Sequence, residues 1–205
     1  MLDAAATIAA AARAAADEIE RTQRLPDDIM RSMIGAGLFQ MYARPSVGGP
    51  GTDPLTAYRA VETLAAADAS VAWLSMVSSG CTWLTGWLTD DALREIAGDP
   101  CDLRIAGSYR PLGRAQPVAG GYRISGRWDF ASGILHANWV IACCVIEDGA
   151  TPRRVLIMFA PVGETAVDET WSVVGMRGTG SHDEAKSFDL SAFHELLLPA
   201  VFVPP

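Results

Sequence analysis

The hydrophobic pattern changes period near residue 100, and that change limits the fold more than any single motif. Before it, apolar residues recur at helical spacing between recognisable helix starts and stops. After it they alternate, or run in short β-branched blocks. Helices and strands segregated along a chain imply an α+β architecture: a helical layer followed by a mostly antiparallel sheet or small barrel. The expected division is a helical domain over residues 1–99 and a β-domain over residues 100–205.

Within the first half, Ala4 to Arg21 is Ala-rich with charges clustered at its end, a strong helix-forming pattern. Leu25-Pro26-Asp27-Asp28 reads as a helix start, and Gly35-Ala36-Gly37 as its stop. Residues 44–53 are dense in Pro and Gly and read as a loop. Asp53-Pro54 places an N-cap before a first-turn proline and opens a helix to about Ala67. Ser70 is expected to cap the next helix, and a short one covers Asp90 to Ala97. Val71 to Leu88 spans 18 residues without a charge, the minimum length for a membrane span. Its Ser, Thr and Gly content is high, however, and Asp90 and Asp91 follow it with no basic flank. The expectation is a helix buried on most sides of a soluble protein, with no membrane partner.

In the second half, Leu103 to Ala106 is a strand, and Gly120-Gly121 turns into the alternating Tyr122 to Ser125. Trp139 to Ile146 and Arg154 to Ala160 are strong strands joined by a hairpin at residues 147–150. Trp171 to Val174 reads as a shorter strand.

Composition excludes several classes. With 205 residues, 50% of them hydrophobic, the chain has material for a real core and is not disordered. A net charge of −8 with no Lys/Arg run argues against a nucleic-acid partner. The start Met1-Leu2-Asp3, with Arg13 and Asp17 breaking the Ala-rich stretch, does not read as a signal peptide. Cys81, Cys101, Cys143 and Cys144 lack CxxC spacing and read as free thiols in a reducing cytoplasm, with Cys143 and Cys144 on opposite faces of a strand. His136, His182 and His194 have no helical partner, so no metal is expected.

Three segments carry candidate chemistry. In Arg123 to Gly133, Trp128, Phe130 and Ser132 occupy alternate positions and are expected on one face, able to support a flat heteroaromatic ligand. Aromatics filling one side of a sheet are the plainer alternative. Gly107-Ser108-Tyr109-Arg110-Pro111-Leu112-Gly113 reads as a loop at a strand end, where ligands often bind, or as an ordinary connection. Gly175 to Ser181 is Gly-rich but lacks the P-loop lysine, so a tight turn with Arg177 at the surface is expected. No nucleophile–base pair and no paired carboxylates appear.

The order of these motifs resembles the acyl-CoA dehydrogenase superfamily from about residue 5 to 183. The series runs Leu25-Pro26-Asp27, Val47-Gly48-Gly49, Ala69 to Trp73, Ile105 to Gly113, Gly121 to Gly133 and Trp171 to Ser181. Tyr109-Arg110-Pro111 and Trp128-Asp129-Phe130-Ala131-Ser132 favour the branch of two-component flavin-dependent phenol and secosteroid hydroxylases. The resemblance implies an N-terminal helical domain, a β-barrel-like middle domain and, in the family, a C-terminal four-helix bundle that the chain is expected to lack. It implies hydroxylation of a small aromatic substrate with O2 and reduced FMN or FAD, delivered by a separate flavin reductase. It implies flavin contacts at Trp73, Gly107, Ser108, Tyr109, Phe130, Ala131 and Ser132, with Ser132 bonding the N5/O4 edge and the flavin peroxide. Trp73 and Phe130 would exclude water.

The family's bundle also builds an oligomer and supplies a histidine base, which none of His136, His182 or His194 matches. Many relatives carry histidine where this chain has Cys81. Residues 183–201 are longer than the family's strand there and read as an inserted helix or disturbed sequence. The expected protein is therefore a cytoplasmic homo-oligomer that either works with a separately encoded bundle or is a truncated relative. The alternatives are a non-catalytic binding remnant of the fold and an acyl-CoA dehydrogenase.

Overall fold

A computed structural model describes residues 1–98, 102–119, 121–150, 153–190 and 195–197. The Ala-rich run forms two helices, α1 (Leu2–Ala14) and α2 (Ala16–Thr22), broken at Ala15 where the backbone leaves helical geometry. α3 (Asp27–Gly35) begins after Pro26 with two acidic residues in its first turn, where they meet the positive end of the helix. α4 (Pro54–Ala65) is capped by Asp53, whose Oδ1 accepts the amides of Leu55 and Thr56 at 3.1 and 3.0 Å. α5 (Ala69–Leu84) is capped by Asp68 rather than Ser70: Asp68 has extended backbone and accepts the Val71 amide at 3.0 Å, while Ser70 is buried inside the helix. α6 (Asp90–Ala97) follows.

The uncharged stretch is the central helix of this layer. Its hydroxyls are satisfied internally: Ser75 and Ser79 donate to the Leu38 carbonyl at 2.7 and 3.1 Å, and Ser78 accepts the Ile105 amide at 3.1 Å. A polar helix is buried here because neighbouring loops offer partners. Among the described residues, no helix is long and apolar enough to cross a membrane.

The strands are β1 (Ile105–Val118), β2 (Gly121–Ala131), β3 (Trp139–Ile146), β4 (Val155–Pro161), β5 (Ala166–Asp168), β6 (His182–Leu190) and β7 (Glu195–Leu197). They form one seven-stranded sheet in the order β5-β6-β2-β1-β3-β4-β7. The sheet is mixed rather than purely antiparallel. The connection 132–138 steps over the start of β1, so β3 lies parallel to β1 on its far side, Ile105 opposite Trp139. No pairing joins β5 to β7 among the described residues, so the sheet is open rather than a closed barrel.

Three expectations change. Gly107 to Gly113 lies inside β1, as an irregularity where the pairing with β3 shifts register between Ser108 and Gly113. Trp171 to Val174 forms no strand: the Trp171 amide donates to His182 Nδ1 at 3.1 Å and its indole to the Met176 carbonyl at 3.2 Å, so side-chain contacts replace a ladder. Residues 183–190 continue β6, antiparallel to β2, where a helix was one expectation, and residues 195–197 form β7. Residues 191–194 and 198–201 of that segment lie outside the described residues.

One hydrophobic cluster is wholly helical, including Ile8, Ile19, Leu25, Met33, Leu38, Leu64 and Val71. A second joins helices to sheet through Cys81, Leu93, Leu103, Ile141, Cys143 and Phe159. A third holds Ile124, Trp128, Cys144 and Met158. Cys143 and Cys144 thus fall in different clusters, as strand alternation requires, and with Cys81 they are buried thiols. Cys101 lies outside the described residues.

Candidate functional site

The Gly-rich stretch after Trp171 is a joint between the layers. Arg177 is half-buried rather than on the surface: its Nε donates to the Glu20 carbonyl at 2.9 Å and its Nη1 to the Val173 carbonyl at 3.2 Å. Gly178 sits where a Cβ would lie 2.1 Å from Ile19 Cγ2 and 3.1 Å from Ser70 Cβ, so α2 and α5 close directly onto its backbone. The Gly133 amide donates to the Thr179 carbonyl at 2.9 Å, which ties this joint to the end of β2.

The end of β2 does not alternate as its sequence does. The register with β6 shifts between Trp128 and Ala131, and Phe130 takes a left-handed backbone with φ +62. Trp128 therefore turns into the core, fully buried, with its indole donating to the Cys143 carbonyl at 2.8 Å. Phe130 turns outward, 59% exposed, with its ring edge-on to Trp171 at 6.1 Å. The single face expected for Trp128, Phe130 and Ser132 is not formed, because the irregularity inserts an extra residue into the alternation.

Ser132 is the centre of what the structure brings together. It is nearly buried, and its Oγ accepts the indole N–H of Trp73 on α5 at 3.0 Å. It lies 2.7 Å from Ser181 Oγ, which lies 2.8 Å from Thr179 Oγ1. Trp73 and Phe130 present exposed aromatic surface. Behind Ser132 the packing against Leu74, Ser78, Arg104 and His136 leaves a void of only about 10 Å3, so a ligand can reach the serine only from the exposed side.

The other candidates divide. Tyr109 is half-exposed, and its hydroxyl donates to Cys81 Sγ at 3.6 Å. Burial raises both groups, the Cys81 thiol to about 11, so both stay protonated at neutral pH and neither supplies a nucleophile. Gly107, at φ +129, allows β3 to approach: a Cβ there would lie 2.1 Å from the Ile141 carbonyl. Ser108 is buried and accepts the Arg110 amide at 3.3 Å, and Ala131 packs among Ala106, Ile134, Val140 and Ala160. The side chains of Ser108 and Ala131 therefore face inward. A larger hollow of about 650 Å3 is lined by Pro111, Leu112 and Gly113 of the second candidate segment, with Arg114 and Glu147, but by none of the residues expected to contact flavin.

Two histidines lie near this region, and each has a committed nitrogen. His136 Nε2 accepts the Leu25 amide at 3.2 Å, and His182 Nδ1 accepts the Trp171 amide at 3.1 Å. Burial, then Arg24 and Arg104, push His136 down to about 4. The His136 lone pair cannot take a proton without releasing the Leu25 amide. Thr179, Ser181 and Trp171 were not singled out from sequence as site residues. The only signal was that they flank or lie in the Gly-rich stretch.

A helical layer docked on an open mixed sheet, with a buried hydroxyl beneath exposed aromatics at the joint, defines the N-terminal and β regions of an acyl-CoA dehydrogenase fold. Residues 1–95 match the acyl-CoA dehydrogenase N-terminal domain. The chain is similar to flavin-dependent monooxygenases that share this fold. It is 36% identical over 171 residues to the flavin-dependent monooxygenase oxygenase subunit HsaA of Rhodococcus jostii, covering 83% of this chain and 44% of that protein. It is 31% identical over 193 residues to the FADH2-dependent resorcinol hydroxylase oxygenase component of a Rhizobium species, covering 94% and 44%. The crystal structure of 3-HSA hydroxylase from Rhodococcus sp. RHA1 superimposes with a TM-score of 0.86 at 30% identity, over 95% of this chain and 50% of that one. XiaF from a Streptomyces species, in complex with FADH2 and glycerol, gives 0.85 at 29% identity, over 94% and 48%. The chain spans about half the length of the curated relatives it matches.

Proposed function

We propose that the chain forms the helical and middle β-domains, residues 1–99 and 100–205, of the oxygenase component of a two-component flavin-dependent monooxygenase that hydroxylates a small aromatic substrate. One observation carries this reading: Trp73 and Ser132 are hydrogen-bonded at 3.0 Å between α5 and the end of β2, two residues along the chain from exposed Phe130. That arrangement pairs an apolar face with a polar atom at its edge, which is the chemistry a flat heteroaromatic ring system requires. Reduced FMN or FAD, delivered by a flavin reductase, supplies when bound the two electrons that send one atom of O2 into the aromatic ring and the other to water.

The chain's own residues bind, orient and shield. Phe130 and Trp73 cover the ring system and keep water from it. Ser132 fixes its polar edge, with Tyr109 and the backbone of Gly107, Ser108 and Ala131 bounding the same surface. The acceptor nitrogens of His136 and His182 hold backbone amides, and the family resemblance implies that the base lies on a C-terminal helical bundle. The reading places the protein in the cytoplasm as a homo-oligomer. Fluorescence titration of the purified chain with FMN and FAD, each oxidised and anaerobically reduced, tests it. Saturable quenching, lost in Phe130→Ala with Ser132→Ala, is expected. Failure of all four forms to bind, with and without a helical-bundle partner, refutes it.

A further inference from the structure

The hydroxyls behind the candidate flavin face form a chain whose direction is forced at every link. The Met176 carbonyl can only accept, and it accepts the Thr179 hydroxyl at 2.9 Å. Thr179 has one hydroxyl proton and has spent it, so in its 2.8 Å contact with Ser181 the serine must donate. Ser181 has then spent its own proton, so in the 2.7 Å contact with Ser132 it is Ser132 that donates. Ser132 Oγ finally accepts the Trp73 indole N–H at 3.0 Å, and an indole cannot act otherwise. Thr179 and Ser181 are almost fully buried, so water does not compete for these protons.

Ser132 is left with no proton to offer and one lone pair. We propose that Thr179 and Ser181 are positioning residues that hold Ser132 as a hydrogen-bond acceptor, so that the site selects reduced over oxidised flavin. The inference rests on the flavin reading above and deepens it. N5 of an oxidised isoalloxazine is itself an acceptor and meets Ser132 lone pair to lone pair. Reduction puts a proton on N5, which Ser132 can accept. A mismatched buried polar contact against a made one separates the two forms by roughly tenfold to a hundredfold in affinity.

The chain also dictates what each substitution does. Thr179→Val removes the acceptor for Ser181. The Ser181 proton then turns to Ser132 Oγ, and the Ser132 hydroxyl is driven outward as a donor. Ser181→Ala leaves the Ser132 hydroxyl free to rotate. Trp73 and Phe130, the apolar part of the site, are untouched in both.

The test is anaerobic titration of the full chain with oxidised and reduced FMN and FAD, reading the dissociation constants and the two-electron potential of bound flavin. Wild type should bind the reduced form at least about tenfold tighter, a potential about 30 mV above free flavin for each factor of ten. Thr179→Val should abolish or invert that ratio, and Ser181→Ala should bring it towards one. A purely structural role for these hydroxyls would weaken both forms equally and leave the ratio unmoved. Wild type binding oxidised flavin as tightly as reduced overturns the proposal without any variant. So does a wild-type ratio retained in either variant that folds. Binding of neither form by wild type, with and without a helical-bundle partner, overturns the flavin reading, and this inference with it.

Discussion

Gly178 and Gly175 lie three residues apart in the same Gly-rich stretch, and the structure assigns them opposite responses to alanine. A Cβ on Gly178 would lie 2.1 Å from Ile19 Cγ2 and 3.1 Å from Ser70 Cβ. Ile19 is fully buried and β-branched, so it cannot swing away without disturbing the helical core. Overpacking of this kind costs about 1–3 kcal/mol. For a chain of this size each kcal/mol moves the thermal midpoint by about 2–4 °C, so Gly178→Ala should lower it by about 2–12 °C. Gly175 has nothing within 4 Å of its virtual Cβ and no left-handed backbone. There alanine only restricts the unfolded chain, which stabilises by about 0.4–1 kcal/mol. Thermal unfolding followed by far-UV circular dichroism compares the two variants with wild type. A Gly178→Ala midpoint equal to or above that of Gly175→Ala would mean that α2 and α5 do not close on this loop, and the joint beneath Ser132 would have to be redrawn.

His136 is held low, at about 4, chiefly by burial, with Arg24 and Arg104 adding to it and Asp27 opposing. Its folded value lies below the unfolded value near 6.5, so its stabilising effect is complete at neutral pH and is lost as pH falls from about 6.5 towards 4. The loss is on the order of 3 kcal/mol. His136→Gln should flatten urea midpoints across that window, and an unchanged slope would refute the assignment. Phe130 carries a left-handed backbone that asparagine tolerates better than alanine. Phe130→Asn should therefore melt higher than Phe130→Ala, while both bind flavin more weakly; the reverse order of melting would argue against the strained φ. Trp73, Met76, Trp83 and Trp87 leave an exposed apolar stripe along α5 and the turn after it. The purified chain should bind a hydrophobic dye or self-associate through that stripe, and Trp83→Ser with Trp87→Ser should reduce either effect. A monomer that binds no dye would contradict it.

Much of the architecture was legible in the sequence because local rules dominate it. The Asp53-Pro54 start, the Asp90 to Ala97 helix and the Trp139 to Ile146 and Val155 to Pro161 hairpin all stand where capping, charge and alternation put them. The misreadings occurred where a distant partner overrode a local preference. Gly107 to Gly113 looks like a loop from its composition, yet it lies within a strand, because β3 pairs with it at Gly107, Ser108 and Gly113 on either side of an irregularity, and glycine permits the approach. Trp171 to Val174 looks like strand, yet its Trp171 amide goes to a histidine ring. Asp68 outcompetes Ser70 as a cap by one turn geometry that both residue types could have filled.

The candidate site shows the same division. Residue chemistry identified Phe130 and Ser132 as worth attention, since aromatic and hydroxyl residues beside glycine carry recognisable chemistry whatever their contacts, and the family resemblance added Trp73. The change of period near residue 100 likewise determined an α+β chain, because hydrophobic spacing is a local property that burial of one face imposes on any fold. What only the tertiary structure decided is which of these residues face outward and which way their protons run. A single irregularity between Trp128 and Ala131 buried one aromatic and exposed the other. The direction of the Ser132 hydroxyl depends on Ser181, Thr179 and the carbonyl of Met176, residues more than 40 positions away in the chain. Hydrogen bonds have direction only once every donor and acceptor has found its partner, and that accounting exists only in three dimensions.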